Sequence, residues 1–420
     1  MKRFFISILF LLSLLNISFG VGEASAIFLL IAPGSGAQGS GEAQVAKVDD
    51  AYASWYNPAG LAYLERTEIV GMHVNWLPNL ADDLYYDFIG YSKYYPQFNA
   101  TFGGHIIYLN LGSQIQTDDT GIELGEFRSN MWALNLSYGS KISSKSSFGL
   151  NFKIHHQGLA PDGAGIEEGS GKSTDFAFDV GYLKKFNKTN FGICISNIGP
   201  KVSFIDEDQA DPQPTNMKFG FYHNLYNDGF NKINLLFDAN KLLVATYPSM
   251  DWDDNGVIDS SEKHHTDPWF KGIFTSWLDD WYFGGNIDED DNGVIGGYNC
   301  SFNSDGYLEE DCISTEGSSY GDDDWGVYNS SGELEVGSDE DRKFSNEFKE
   351  MIYNFGVEYW YTDYFVLRGG YIYDYEGNIK NPTFGAGIRF LDYGFDFAYT
   401  AGEQGHPRAN TMFFSLSVKL

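Results

Sequence analysis

Cysteine is scarce. Three in 420 residues cannot supply a disulfide framework for a chain of this size. After the first twenty residues no run of about 18 apolar residues occurs, so no transmembrane helix is predicted. Basic residues are few: 27 Lys and Arg against 58 Asp and Glu, a net charge of −31. That balance excludes nucleic acid as a partner, because phosphate binding needs clustered cations. Enzyme signatures are thin as well. There is no G-x-S-x-G elbow for a nucleophilic serine. His155 and His156 are adjacent in a predicted strand and therefore point to opposite faces. Glu167 and Glu168 sit in a predicted loop without a partner, and His264 and His265 beside Glu262 read as solvated loop residues rather than metal ligands. The chain is not read as an enzyme.

Aromatic residues and glycine are abundant: Phe, Trp and Tyr make up 17%, and there are 48 Gly. This suits a β-protein with aromatic girdles. The start, MKRFFISILFLLSLLNISFG, has Lys2 and Arg3, then an apolar run, then small residues near Gly20, and residues 1–20 read as a secretory signal peptide. From Thr67 the chain breaks into alternating segments. In Asn130–Ile142, Trp132, Leu134, Leu136 and Tyr138 share one face, with Ala133, Asn135, Ser137 and Gly139 on the other. Phe414, Leu416, Val418 and Leu420 likewise oppose Ser415, Ser417 and Lys419. Period two means strand. About 14 strands are predicted, at 67–77, 84–96, 99–112, 128–143, 146–160, 172–186, 189–206, 216–226, 231–246, 348–362, 364–376, 381–391, 393–403 and 410–420. Each has the roughly 9–11 residues that a tilted strand needs to cross a bilayer.

The connections alternate in length. Even ones are tight (PQF, SSKS, NKT, NDGF, TD, LDYG), whereas odd ones tend to be long (LPNLADD, SQIQTDDTGIELGEF, PDGAGIEEGSG, DEDQADPQPT). A soluble β-sandwich has no reason to gather its long loops at one end. An outer-membrane barrel does, with short periplasmic turns and long extracellular loops. The expected fold is all-β: a transmembrane antiparallel barrel over residues 67–420, in a Gram-negative outer membrane, with lipid around it and both termini periplasmic. Which strand face lines the lumen is left open. Residues 21–66 are Gly/Ala-rich and do not alternate. They either hang in the periplasm or fold into the lumen as a plug, and their apolar content favours the lumen.

Within that segment lies VAKVDDAYASWYNPAGLAYLE. Asn57 before Pro58 favours a turn, and Ala59, Gly60 and Ala62 are small enough to pack tightly inside a barrel. The motif either holds the plug or touches a ligand directly. The run resembles the N-terminal signature of FadL-like outer-membrane barrels, and most closely the PorV/PorQ branch associated with type IX secretion. Asp49, Asp50, Ala51, Trp55 and Asn57 to Ala62 carry the resemblance. In layout it extends over the whole mature chain. It implies one of two jobs. A PorV-type member receives secreted cargo proteins by their C-terminal signal domains and delivers them to a sortase-like protease at the cell surface. A FadL-type member passes hydrophobic small molecules.

Residues 247–347 form the fifth odd connection and hold 26 acids against 4 bases, about 22 of the 31 net negative charges. Inside it, DWDDNGVIDSSE matches a calcium loop at every position. Asp251, Asp253, Asn255, the Val257 carbonyl, Asp259 and Glu262 are the expected Ca²⁺ ligands, with Gly256 at the turn. A second copy offers Asp288, Asp290 and Asn292, but Asn299 replaces its final carboxylate. Cys300 and Cys312 flank a third, weaker motif, and a disulfide between them is expected outside the cell. Cys194, in a predicted strand, should face lipid or lumen. Calcium here is expected to be structural, because mutual repulsion would otherwise spread so many acids apart.

Overall fold

The computed structural model describes residues 24–81, 83–117, 123–160, 171–204, 210–247, 265–279, 344, 346–375, 377–402 and 410–420. Fourteen strands close into one antiparallel barrel: β1 Glu68–Asn75, β2 Tyr85–Tyr95, β3 Ala100–Thr117, β4 Glu123–Ser143, β5 Ser146–Gly158, β6 Lys172–Lys185, β7 Thr189–Ile198, β8 Asn216–Asn227, β9 Asn231–Leu242, β12 Ile352–Tyr361, β13 Phe365–Asp374, β14 Ile379–Phe390, β15 Tyr393–Thr400 and β16 Thr411–Lys419. Every barrel strand pairs with its neighbours in sequence, and β1 pairs with β16, so no edge is left. A two-residue ribbon, β10 Thr246–Tyr247 with β11 His265–Thr266, stands outside the barrel. The strands fall close to the predicted spans.

Two differences have a physical reason. β3 and β4 run longer than expected, because Ser113 to Thr117 pair with Glu123 to Arg128 beyond a bulge at Gly112. The polar alternation of SQIQT and ELGEF makes that extension a two-sided solvated hairpin rather than a loop. The stretch expected to prolong β7 to residue 206 instead leaves the sheet after Ile198. Asn197 has a positive φ of 59°, and its carbonyl accepts from the Thr215 hydroxyl.

The alternation resolves which face is which. Outward positions carry large apolar side chains in the open: Ile89, Leu136, Phe152, Phe178, Phe355, Leu367 and Leu416 are all more than a third exposed. Exposed apolar surface on this scale around a closed sheet belongs in lipid. Inward positions are split. Val70, Met72, Val74, Tyr86, Phe88, Ile107 and Leu109 make an apolar sector on β1–β3. The remaining strands turn polar and charged residues inward, among them Lys153, Asp179, Lys218, Asp238, Glu358, Arg368 and Asp396, all buried.

The space inside is filled by the N-terminal segment. It forms a 3₁₀ turn at Ile27–Leu30, helix α1 at Ser35–Gly39, helix α2 at Ala53–Tyr56 and a 3₁₀ turn at Pro58–Tyr63. Phe28, Trp55, Tyr56, Leu61 and Leu64 are buried and pack with the apolar sector. Each such side chain removed from water contributes roughly 1.5–3 kcal/mol.

The insertion between β9 and β12 starts and ends in order. Tyr247 pairs with His265, and their rings stack at 5.1 Å. Helix α3, Trp269–Thr275, follows, and helix α4, Asn346–Lys349, leads into β12. The ribbon thus brings together the two chain ends that bracket Asp251–Glu262. Both calcium motifs and the Cys300 and Cys312 pair lie outside the described residues.

Candidate functional site

The site is the N-terminal segment inside the barrel, called the plug below for its position, and the wall around it. At its centre is a belt of glycines facing inward. Gly139, Gly149 and Gly181 stand in register across β4, β5 and β6, Gly192 pairs with Gly220, and Gly356 pairs with Gly370. With Gly385 on β14 these glycines meet plug backbone directly. A Cβ on Gly139 would lie 2.7 Å from the Pro58 carbonyl oxygen, and one on Gly220 would lie 2.7 Å from the Ala46 nitrogen. On Gly149, Gly356 and Gly370 it would overlap Pro58–Ala59, Ser40 and Gly41 respectively. No side chain fits between wall and plug on this arc.

Asn57 is the hinge pin of the motif and is fully buried. Its Oδ1 accepts from the Ala59 N–H at 3.1 Å and so caps the 3₁₀ turn that Pro58 begins. Its Nδ2 donates to the Val45 carbonyl at 3.0 Å and to the Tyr182 carbonyl of β6 at 3.2 Å. Ala59 and Gly60 pack behind it, with Gly60 against Val48. The motif thus ties two parts of the N-terminal segment to each other and to β6. Asn57→Ala should lower the barrel's melting free energy by about 1–2 kcal/mol, the usual loss for a cap, as read by heat-modified migration on a gel.

A second latch is made by α2. The Ser54 carbonyl accepts from Asn151 Nδ2 at 2.8 Å and from Asn135 Nδ2 at 3.4 Å, and the Ser54 hydroxyl meets His105 Nδ1 at 3.0 Å. Behind these, Asp179 accepts from Asn151, pairs with Lys153 at 3.2 Å and takes the Asn197 N–H at 2.8 Å. His155 turns inward toward Gln213 at 3.3 Å, while His156 turns outward and stacks on Trp132. Cys194 is buried on the inward face, on the same side of β7 as Gly192. Lys218 places its ammonium 3.6 Å from the Trp55 ring centre, a cation–π contact between wall and plug.

The third latch is ionic. Glu358 of β12 is fully buried and pairs with Lys47 of the plug at 3.2 Å and with Arg368 of β13 at 3.0 Å. Asn234 Nδ2 and Trp360 Nε1 also donate to it. Arg368 continues to Asp396 at 2.6 Å, which takes Arg389 at 2.7 Å. Burial works against the Lys47 ammonium, but Asp49 and Glu358 outweigh it and raise its pKa. Asp238 closes the ring by accepting from the Gln44 and Val45 N–H groups at 2.6 and 2.9 Å.

Between this network and the tight-turn end lies a cavity of about 930 Å³. Lys47, Asp49, Asp50, Arg66 and Glu68 line it on one side, and Tyr222, Trp360, Arg368, Arg389 and Asp396 on the other. Asp50 is the group here with the largest pH consequence. Loss of water, then repulsion from Asp49 and Glu68, push its pKa up to about 7. A raised carboxyl pKa means the folded state binds the extra proton, so this stability is present at acid pH and is lost as pH rises from about 4 to about 7. Asp50→Asn should therefore melt higher than the natural protein at pH 8, and the difference should shrink with falling pH and vanish near pH 4.

Among the described residues, one group of three acids could approach a metal: Asp279, Glu347 and Glu350, at the foot of the insertion. Lys241 pairs with Glu347 at 3.1 Å and with Glu350, so the cluster carries its own cation.

Comparison with known proteins adds the following. The sequence pattern of the family described as Type IX secretion system protein PorV matches residues 20–249, more than half of the chain. No curated protein matches. Solved structures with a similar trace include the Pseudomonas putida toluene transporter TodX, at 11% identity over 93% of this chain and 99% of that one, with a TM-score of 0.48. The Ralstonia pickettii toluene transporter TbuX has 12% identity, 93% and 98% coverage and a TM-score of 0.44. A Pseudomonas aeruginosa FadL homologue has 11% identity, 92% and 97% coverage and a TM-score of 0.41.

Proposed function

This chain belongs to the PorV family of type IX secretion system proteins, and on that premise we propose that it receives secreted cargo at the cell surface. It binds cargo proteins by their C-terminal signal domains and passes them to a sortase-like protease. The observation that carries this reading, beside family membership, is the plug. A bore whose wall meets plug backbone on a glycine belt leaves the loops, rather than the lumen, as the place where a folded protein can be received. The cavity beside the plug is lined by charges and amides, which suits a hydrophobic solute poorly.

The topology follows from the same premise. The tight turns and both termini face the periplasm, and the acidic insertion faces outward. There Asp251, Asp253, Asn255, Val257, Asp259 and Glu262 hold Ca²⁺, Asp288, Asp290 and Asn292 offer a second, incomplete site, and Cys300 is bonded to Cys312. The paired ends Tyr247 and His265 support the first of these by fixing the span that the motif must close. The test is binding of a recombinant cargo signal domain to the purified barrel, with calcium and with chelator. Saturable binding that weakens on chelation is expected. No binding in either condition would remove the cargo role.

A further inference from the structure

One stretch of the outward wall lacks a side chain. Where β9, β12 and β13 run side by side, Leu235, Val357 and Gly369 pair in one cross-strand row. Phe237, Phe355 and Tyr371 pair in the next outward row toward the loop end. Phe355, Val357 and Tyr371 are more than a third exposed. A Cβ on Gly369 would meet nothing within 4 Å. The gap belongs to an apolar groove of about 540 Å³ that these residues line. Behind the gap the wall is backbone alone, since the next residue, Gly370, turns inward against Gly41 of the plug.

The groove has a roof. Further toward the loop end, Ala239 and Lys241 of β9 are buried although they face outward, Asn240 between them being the inward residue that bonds Asn354. The foot of the insertion covers them. Lys241 pairs with Glu347 at 3.1 Å and with Glu350, and its ammonium lies 5.7 Å from the centre of the Trp277 ring. Trp277 meets the outward Phe219 edge-on at 6.3 Å. The Tyr353 hydroxyl, on the outward face one row above Phe355, donates to the Phe348 carbonyl at 3.0 Å. Phe344 and Phe348, each about half exposed, stand at this edge with their rings 5.6 Å apart. The foot therefore lies against the outside of the barrel, and its tryptophan and tyrosine contacts are of the kind found at a membrane–water interface.

We propose that groove and foot together seat one membrane lipid of the loop-side leaflet, with an acyl chain along Gly369 and the polar end toward Tyr353. Two observations select a lipid. The groove is continuous with the apolar wall that already belongs in lipid. A closed ladder also keeps its backbone N–H and C=O groups to itself, so the groove offers an occupant hydrocarbon contact and little else, which is all an acyl chain needs. The site depends on the barrel spanning a bilayer and not on cargo binding.

The test uses the full-length protein in nanodiscs of palmitoyl-oleoyl phosphatidylcholine. The barrel is released into mild detergent, and the lipids it keeps are counted by native mass spectrometry. One retained lipid per barrel is expected. Gly369→Phe fills the gap from the outside, where nothing stands in its way, and should leave melting unchanged. It should lower retention at least about tenfold, the worth of roughly two methylenes shut out of the groove. Val357→Trp, paired with Gly369, should act in the same direction and stands alone if Gly369→Phe folds poorly. Ile89→Trp, at an outward position on β2 far along the wall, should change nothing. A barrel that keeps no lipid overturns the proposal. So does retention untouched by the groove variants, or lost equally in Ile89→Trp. A second copy of the barrel or another protein held in place of lipid, and released by Gly369→Phe, would make the groove a protein interface and overturn it as well.

Discussion

Gly149→Val should loosen the plug. The new side chain has nowhere to go, since Pro58 and Ala59 backbone atoms already occupy the place of its Cβ. Overpacking a well-filled interior costs about 1–3 kcal/mol when side chains can move, and here the obstacle is backbone on both sides, so the upper end or beyond is expected. The second arc of the belt behaves alike. Gly370→Val strikes Gly41 and the Ser40 carbonyl carbon. Limited trypsin digestion should cut the variants at Lys47 or Arg66 while the natural barrel resists, and planar-bilayer conductance should rise in the same variants. If both variants resist trypsin and stay as silent as the parent, the belt is not what seats the plug.

The second large effect is expected at Glu358. It is the single acid on which Lys47, Arg368, Asn234 and Trp360 converge, with none of its side chain exposed. Glu358→Ala leaves two buried cations short of a partner, and breaking a buried pair in this way costs about 3–5 kcal/mol. The loss should appear as a lower melting temperature in detergent. A double-mutant cycle separates packing from charge. Lys47→Met with Glu358→Leu should recover much of the loss, because removing both charges is far cheaper than removing one. A double variant as unstable as Glu358→Ala alone would mean that Arg368, and not Lys47, is the partner that matters.

How much of this could be read from residues alone differs by element. The fourteen strands were legible because outward Leu134 and Leu136 alternate with inward Asn135 and Ser137, and the same holds strand after strand. The seating motif was legible because Asn57–Pro58 is a strong turn signal followed by small residues. The glycine belt was written in plain sight as a repeated aromatic–glycine pair. Tyr138–Gly139, Phe148–Gly149, Phe191–Gly192, Phe219–Gly220, Phe355–Gly356 and Phe384–Gly385 are such pairs. The glycine of each is inward, and five of the six meet the plug's backbone nitrogen, carbon or oxygen, with Gly385 approaching the Gly39 Cα.

The ionic latch was harder. Glu358 in GVEYW, Arg368 in VLRGG and Asp396 in GFDFA are single charges set between large apolar neighbours. A charge there must face the lumen, because a lipid-facing one is destabilising. That much follows locally. The pairing does not, since Lys47 and Glu358 are brought together only by the closure of the barrel around the plug. The long polar hairpin of β3 and β4 was missed because Gly112 bends the strand at a bulge, and the alternation resumes one residue out of step.

The most direct measurement is extraction of the protein from its native membrane in mild detergent with calcium present, followed by mass spectrometry of whatever accompanies it. The account predicts secreted proteins sharing a C-terminal signal domain, together with a sortase-like protease, and predicts that chelation releases them. A barrel that emerges alone, carrying a fatty acid or another apolar solute, would contradict it.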